Sequence, residues 1–268
     1  MREIRAEKGE LCLRLAAGWD EVDACQRLRY QVFYEELGAV PEGNLSEFRR
    51  DSDRFDLICD HLVVVRRTLD NSAGAITLGD GELIGTYRLL RQEVADSNGG
   101  FYTQAEFDLK PLLAAHPHLR FLELGRSCVL KAFRTKPVVE LLWQGIWDYV
   151  RAHRLDVMFG CASLEGTDPQ QHALALTYLS QLMPPPEWYV RALPDIRAEM
   201  RLFEPEKVDQ RRALRSLPPL IKGYLRLGCF IGDGAVVDYQ FNTIDVLIIL
   251  PVTAINSRYF AHFGEPTG

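Results

Sequence analysis

A guanidinium on the apolar face of a helix must find a counter-charge, and this sequence places one there. Counting about 100° per residue from Val22, the apolar positions Val22, Cys25, Leu28, Val32, Phe33 and Leu37 fill a stripe from roughly 240° to 60°. Arg29 falls near 340°, inside that stripe, by the same count. Its side chain either forms a buried ion pair, with Glu36 within reach, or lines a cavity, because a buried charge is costly in both cases. Arg88 raises the same question inside the apolar run Leu83–Leu90. Two such arginines call for carboxylates. Asp53, Asp56 and Asp60 stand in a polar segment, and Glu123 stands in Phe121-Leu122-Glu123-Leu124-Gly125-Arg126, so a charge network would satisfy them all. A polar cluster beside a long loop is read as a candidate site. Glu123 and Arg126 face opposite ways in a regular strand, but a bulge near Gly125 would bring them together. It would also free a backbone N–H to donate to a carbonyl oxygen.

A second feature is cationic. Lys131, Arg134 and Lys136, with Thr135 between them, precede a helix that Pro137 opens, and charge and helix dipole together suit phosphate there. The plainer alternative is a solvated basic loop. Arg197–Arg226 carries eight basic and four acidic residues, fitting either a docking surface for an acidic partner or membrane, or another solvated face. The whole chain has a net charge of −6, which argues against nucleic acid as a partner. The six cysteines form no Cys-x-x-Cys pair, so neither a zinc site nor a redox motif is expected, and no metal ligand set is assigned. Gly-x-Ser-x-Gly, Walker, Gly-x-Gly-x-x-Gly and His-Glu-x-x-His patterns are all missing.

These residues need elements to hold them. Leu11–Leu15 alternates like a strand, Asp20 is placed to cap the first helix, and Gly38 to stop it. Ala39–Asp60 reads as a polar loop with few apolar anchors, a candidate lid. His61–Thr68 and Leu83–Leu90 read as an antiparallel pair joined through Asn71–Gly81. Thr103–Ala115 reads as a short helix. Arg120–Leu130, a helix from Pro137 to His153 and Val157–Ala162 then form a βαβ unit with two parallel strands. Thr167 or Asp168 could cap a further helix ending at Met183-Pro184-Pro185-Pro186. One mixed α/β domain is therefore expected over 1–204, with 205–268 an extension too short to fold alone and packed on the same domain. The mixed-charge start and the short Val246–Leu250 apolar run predict a chain that is neither exported nor transmembrane, hence cytoplasmic.

Arg29-Tyr30-Gln31-Val32-Phe33, Asp53-Arg54-Phe55-Asp56, Gly85-Thr86-Tyr87-Arg88 and Glu123-Leu124-Gly125-Arg126-Ser127 resemble the acyl-homoserine-lactone synthases, which are GNAT-fold enzymes. Cys161-Ala162-Ser163-Leu164-Glu165-Gly166-Thr167-Asp168-Pro169 and Leu217-Pro218-Pro219-Leu220-Ile221-Lys222-Gly223-Tyr224-Leu225-Arg226-Leu227-Gly228 look more specifically like the bacterial L-ornithine N-alpha-acyltransferases. The resemblance runs from about Leu11 to Gly264. It implies a GNAT-like, mainly antiparallel mixed sheet flanked by helices, with a C-terminal extension. It also implies transfer of a fatty acyl group, often 3-hydroxylated, from acyl-carrier protein to the α-amine of L-ornithine, giving lyso-ornithine lipid. By the same resemblance Arg29, Asp53, Asp56, Arg88, Glu123 and Arg126 match the polar positions that line the substrate cavity, and Arg29, Phe33, Asp53, Asp56, Arg88 and Arg126 are the expected substrate-binding residues. Lys131, Arg134, Thr135 and Lys136 are expected to hold the carrier's phosphopantetheine. The usual GNAT pyrophosphate loop, Gln/Arg-x-x-Gly-x-Gly/Ala, is replaced here by Phe133-Arg134-Thr135-Lys136-Pro137, which argues against coenzyme A as donor.

No cofactor is expected beyond that acyl-phosphopantetheine co-substrate, and the inner-membrane surface is a further expected partner. An α-amine near pKa 8 is about one-tenth neutral at pH 7, so its deprotonation costs only roughly 1.4 kcal/mol. Glu123 is the expected base, with the oxyanion held by a backbone N–H of Cys128, Val129 or Leu130. Asp53 and Asp56 are assigned to the δ-ammonium, and Arg88 or Arg126 to the carboxylate. A covalent route through Cys128 is the alternative chemistry. A signal-lactone synthase using S-adenosylmethionine, an acyltransferase for another amino acid, and a non-catalytic carrier- or membrane-binding module are the alternative functions.

Overall fold

The computed structural model describes residues 4–43, 45–67 and 75–255. Residues 71–74 of the expected hairpin loop, Thr68, and the end of the chain lie outside them. The chain forms two compact units that interleave in sequence: one holds the chain through Asn98 plus Leu124–Arg154, the other Gly99–Glu123 plus the chain from Leu155. Residues 155–204 and those after 204 thus share a unit.

In the first unit, β1 (Arg5–Lys8), β2 (Leu11–Leu15), β3 (Asp60–Arg66) and β4 (Gly81–Arg91) pair in that order, all antiparallel. β5 (Phe121–Val129) is next to β4 in the sheet order. The register sets His61 opposite Arg88, which puts two residues of the charge cluster on neighbouring strands. α1 (Trp19–Tyr30) buries Ala24, Cys25 and Leu28 against Val63, Val65, Leu83 and Cys128. It continues as a π-helical turn over Gln31–Glu36, in which Leu37 N–H reaches Val32 O at 3.1 Å. Gly18, not Asp20, occupies the N-cap, and Glu21 instead accepts the Ala17 N–H, leaving Asp20 in the first turn. Gly38 does supply the left-handed stop (φ +77°). α2 (Lys136–His153) opens with Pro137 as expected and approaches the sheet closely: a Cβ on Gly145 would lie 2.4 Å from Leu13 Cδ2.

In the second unit, Phe121–Glu123 of β5 pairs in parallel with Val157–Phe159 of β6 (Val157–Glu165), as the βαβ reading requires. β6 is antiparallel to β8 (Thr243–Pro251) over its whole length, and β8 to β7 (Phe230–Asp238). The expected helix over Thr103–Ala115 is two pieces, a 3-10 turn at Tyr102–Ala105 and a helix at Lys110–Ala115. Pro111 suits a first turn and cannot continue a helix already running. Asp168 provides the cap before α3 (Ala173–Ser180), accepting Gln170 N–H through an intervening 3-10 turn. α4 (Gln210–Ser216) and α5 (Pro219–Leu227) follow. Among the described residues no helix is long and apolar enough to cross a membrane.

Candidate functional site

Arg29, fully buried on α1, is met by two carboxylates from the segment after the first helix. Its Nη1 and Nη2 donate to Asp56 Oδ1 and Oδ2 at 2.9 and 2.7 Å, and its Nε lies 2.8 Å from Asp51 Oδ2. Arg88 on β4 donates to Asp53 Oδ1 at 2.7 Å and Asp56 Oδ1 at 3.1 Å. Arg126 on β5 reaches Asp51 Oδ2 at 3.1 Å and Asp53 Oδ2 at 3.2 Å. Three guanidinium groups and three carboxylates therefore close a formally neutral network. Arg126 takes φ +50°, so the backbone irregularity expected near Gly125 falls one residue later and turns this side chain to the aspartates.

Local backbone chemistry holds the acids in place. Asp53 caps a 3-10 turn, Arg54–Leu57, accepting Phe55 N–H at 2.8 Å, while Asp56 accepts the Asp53 N–H at 3.2 Å. Gln26 Nε2 and Tyr34 Oη add bonds to Asp56 and Asp51. Burial by itself would raise the Asp56 pKa, but Arg29 and then Arg88 outweigh it and hold that carboxyl well below the usual range. His61 Nε2 is 3.4 Å from Asp56 O; burial, then the Arg29 charge, lowers the imidazole to about 4, so it is neutral at pH 7.

This geometry corrects several expectations. Glu36 does not pair with Arg29; it takes Arg134 in a bidentate pair at 2.6 and 2.8 Å. Asp60 accepts the Tyr149 hydroxyl at 2.5 Å, outside the network. Asp53 and Asp56, expected to hold the δ-ammonium, are each paired with arginine, so a substrate ammonium there would share or displace one of those pairs. Asp51 and His61 went unread: Asp51 sits in a polar run where nothing distinguishes it, and His61 opens an ordinary-looking strand. Phe33 packs against the apolar cluster beneath α1. The segment read as a lid for want of apolar anchors is fixed over 51–58 by charge instead.

The remaining sequence-derived residues separate. Leu130 N–H donates to Ile84 O at 2.9 Å and so is not open to an oxyanion, while Val129 O accepts Arg134 Nε at 3.0 Å. Cys128 is buried, and burial pushes its thiol far up, which disfavours the thiolate a covalent route needs. Arg134 is engaged by Glu36, whereas Lys136 projects into solvent with Glu140 at 3.5 Å and Lys131 is exposed. Thr135 sits at the N-cap of α2 without a side-chain cap bond.

In the second unit, buried Glu123 accepts the Tyr102 and Thr103 N–H groups at 3.0 and 2.7 Å, one on each oxygen. Glu106, Cys161 and Asp245 bring ligand atoms within 4.8 Å of one another, a spacing that could hold a cation. The Cys161 S–H donates to Glu106 Oε2 at 3.1 Å, and burial followed by the Glu106 and Asp245 charges raises this thiol well above its ordinary value. Its proton makes Cys161 a donor rather than a soft metal ligand. Glu106 and Asp245 were not anticipated, although Asp245, alone in the apolar run Ile244–Leu250, was a visible signal.

A model of the GNAT acetyltransferase domain matches residues 28–144. The chain is 49% identical over 257 residues to the L-ornithine N(alpha)-acyltransferase of Agrobacterium fabrum, covering 96% of this chain and 86% of that protein. It is 40% identical to the enzyme of the same name from Rhodobacter capsulatus, covering 92% of each. Among solved structures, the N-acyl amino acid synthase FeeM from uncultured soil microbes superposes with a TM-score of 0.51 at 12% identity, covering 93% of this chain and 97% of that one, a likeness of fold.

Proposed function

Because the chain belongs to the L-ornithine N(alpha)-acyltransferases, we propose that it joins a fatty acyl group, 3-hydroxylated in its usual form, to the α-amine of L-ornithine and so makes lyso-ornithine lipid. The observation that carries this reading is near-half identity sustained across almost the whole chain. Acyl-carrier protein is the donor in this reading. Its phosphopantetheine brings one phosphate, which Lys131 and Lys136 suit better than they suit a diphosphate normally cradled by glycine amides.

The neutral α-amine attacks the thioester carbonyl directly. Glu123 takes the proton: the Tyr102 and Thr103 N–H groups, one on each oxygen, fix its carboxylate in place. The developing oxyanion is assigned to the N–H of Cys128 or Val129. Breakdown of the tetrahedral intermediate expels the phosphopantetheine thiolate and leaves the amide. Within the charge network the Arg126–Asp53 bond is where substrate enters, since these side chains retain 12% and 24% exposure while Arg29 and Asp56 retain 1% each. Asp53 then takes the δ-ammonium and Arg126 the carboxylate, with Arg29, Asp51, Asp56 and Arg88 keeping both in place.

The test is to incubate pure protein with 3-hydroxyacyl carrier protein and L-ornithine, L-lysine or homoserine separately, and to follow products by mass spectrometry. Preferential acyl-ornithine formation is the expected result. Acylation of another amine in its place, or lactone formation from S-adenosylmethionine, would overturn the assignment.

A further inference from the structure

Gln210–Arg226 carries Arg211, Arg212, Arg215, Lys222 and Arg226 and not one Asp or Glu, in a chain whose net charge is −6. α4 turns most of these charges outward. Ala213 is fully buried, while Arg211, Arg212, Leu214 and Arg215 are all exposed. At about 100° per residue from Arg211, Leu214 falls at roughly 300°, Arg215 at roughly 40° and Arg212 at roughly 100°, with Ala213 opposite at roughly 200°. One helix face thus presents three guanidinium groups with a leucine at its edge.

Among the described residues the charges on this face have no internal answer. Elsewhere in the same unit Arg197 is paired with Asp233 and Lys207 with Glu204. Among the described residues, none of the five cations is within ion-pair distance of a carboxylate. The nearest acid in sequence, Asp209, is committed as N-cap to the Arg212 N–H at 3.0 Å. Lys222 Nζ donates to Arg215 O at 2.8 Å, which ties the start of α5 to the end of α4 while keeping its charge.

We propose that α4 and the start of α5 form a docking surface for an anionic lipid bilayer, with Arg211, Arg212 and Arg215 against headgroups and Leu214 entering the interface. Charge complementarity requires a dense anionic surface. A bilayer is favoured over an acidic protein because an exposed leucine bordering the cationic face suits an acyl boundary. The product of the proposed reaction also carries a fatty chain that leaves water readily only into lipid. That last point rests on the proposed function, but the test involves no turnover, so the docking surface and the acylation stand or fall separately.

The full chain is floated with vesicles of phosphatidylglycerol and phosphatidylcholine, and with phosphatidylcholine alone. It should bind the anionic vesicles only, and less as salt rises. At about fivefold in partition per cation, Arg211→Gln/Arg212→Gln/Arg215→Gln should weaken binding roughly a hundredfold. The melting temperature of that variant shows whether it is folded. If it is not, Leu214→Trp in the otherwise native chain decides, its emission shifting to the blue on anionic vesicles alone. The proposal is overturned by a native chain that ignores anionic vesicles, by a folded triple variant that floats as well as the native chain, or by a tryptophan that stays wet. A triple variant with unchanged flotation and a raised KM for carrier protein would assign the face to an acidic protein instead.

Discussion

Glu123 holds a turn of backbone and is also the residue proposed to accept a proton, and one substitution separates the two roles. Glu123→Gln keeps the shape, and its amide oxygen still accepts one of the two N–H groups, but it cannot take the amine proton. We expect kcat to fall by roughly 10² to 10⁴ at neutral pH, the residual rate climbing with pH as more amine arrives neutral. A loss of activity that merely tracks a lowered melting temperature would leave Glu123 a structural residue. The charge network gives a second expectation. Asp56→Asn strands Arg29 and Arg88 with one carboxylate fewer and should cost about 3–5 kcal/mol of folding stability, read by denaturant titration. Acid should act through two groups in turn. His61 is neutral and buried with a pKa lowered to about 4, so unfolding lets it bind a proton, and stability falls as pH drops from about 6.5 towards 4. The depressed Asp56 carboxyl adds a further loss below about pH 4, where unfolded carboxylates protonate. His61→Gln should flatten the first limb and leave the second; an unchanged slope between pH 6.5 and 4 would remove His61 as its source.

At the scale of elements, the segment between α1 and β3 behaves as two parts. Its second part is stitched by Asp51 N–H to Gln26 O, by the Asp53 cap and by the arginine pairs, whereas in its first part Val40 and Phe48 are exposed and Leu45–Phe48 forms a single helical turn. Hydrogen exchange should therefore be slow over 51–59 and fast over 40–43 and 45–49, with L-ornithine slowing the first part if it closes over substrate. Uniformly fast exchange over both would mean that the aspartates do not anchor the loop. The elements themselves were largely legible. An apolar stripe, alternating strands and Pro137 are local signals, and they gave α1, β2–β4, the parallel pair and α2. That Arg29 and Arg88 are buried and need carboxylates was legible too. Of the carboxylates, Asp56 and Asp53 were legible and do meet Arg29 and Arg88, but Asp51 was not, because it meets Arg29 from 22 residues away and Arg126 from 75, and no periodicity records such a meeting. The same distance in sequence hid the Glu36–Arg134 pair, 98 residues apart, and so overstated the free positive charge before α2.

For the whole molecule, the donor is the expectation with most at stake. Acyl-carrier protein should exceed acyl-CoA by at least tenfold in kcat/KM, with Lys131→Glu/Lys136→Glu raising the KM for carrier protein more at low salt than at high. Equal use of acyl-CoA would refute the carrier assignment. A different consequence follows from the way the two units share the chain. The ribosome releases residues 1–98 first, yet the unit they belong to lacks most of β5 and all of α2, including the helix that Gly145 lets lie on Leu13, until Arg154 has emerged. Neither unit is a continuous stretch, so no single cut liberates one intact. Arg29 and Arg88 are synthesised well before Arg126, and until it arrives Asp51 and Asp53 lack one of their partners. The order of synthesis thus makes the last arginine of the network the one that completes it, and a nascent chain stalled before Leu124 should remain open to protease where the finished protein resists.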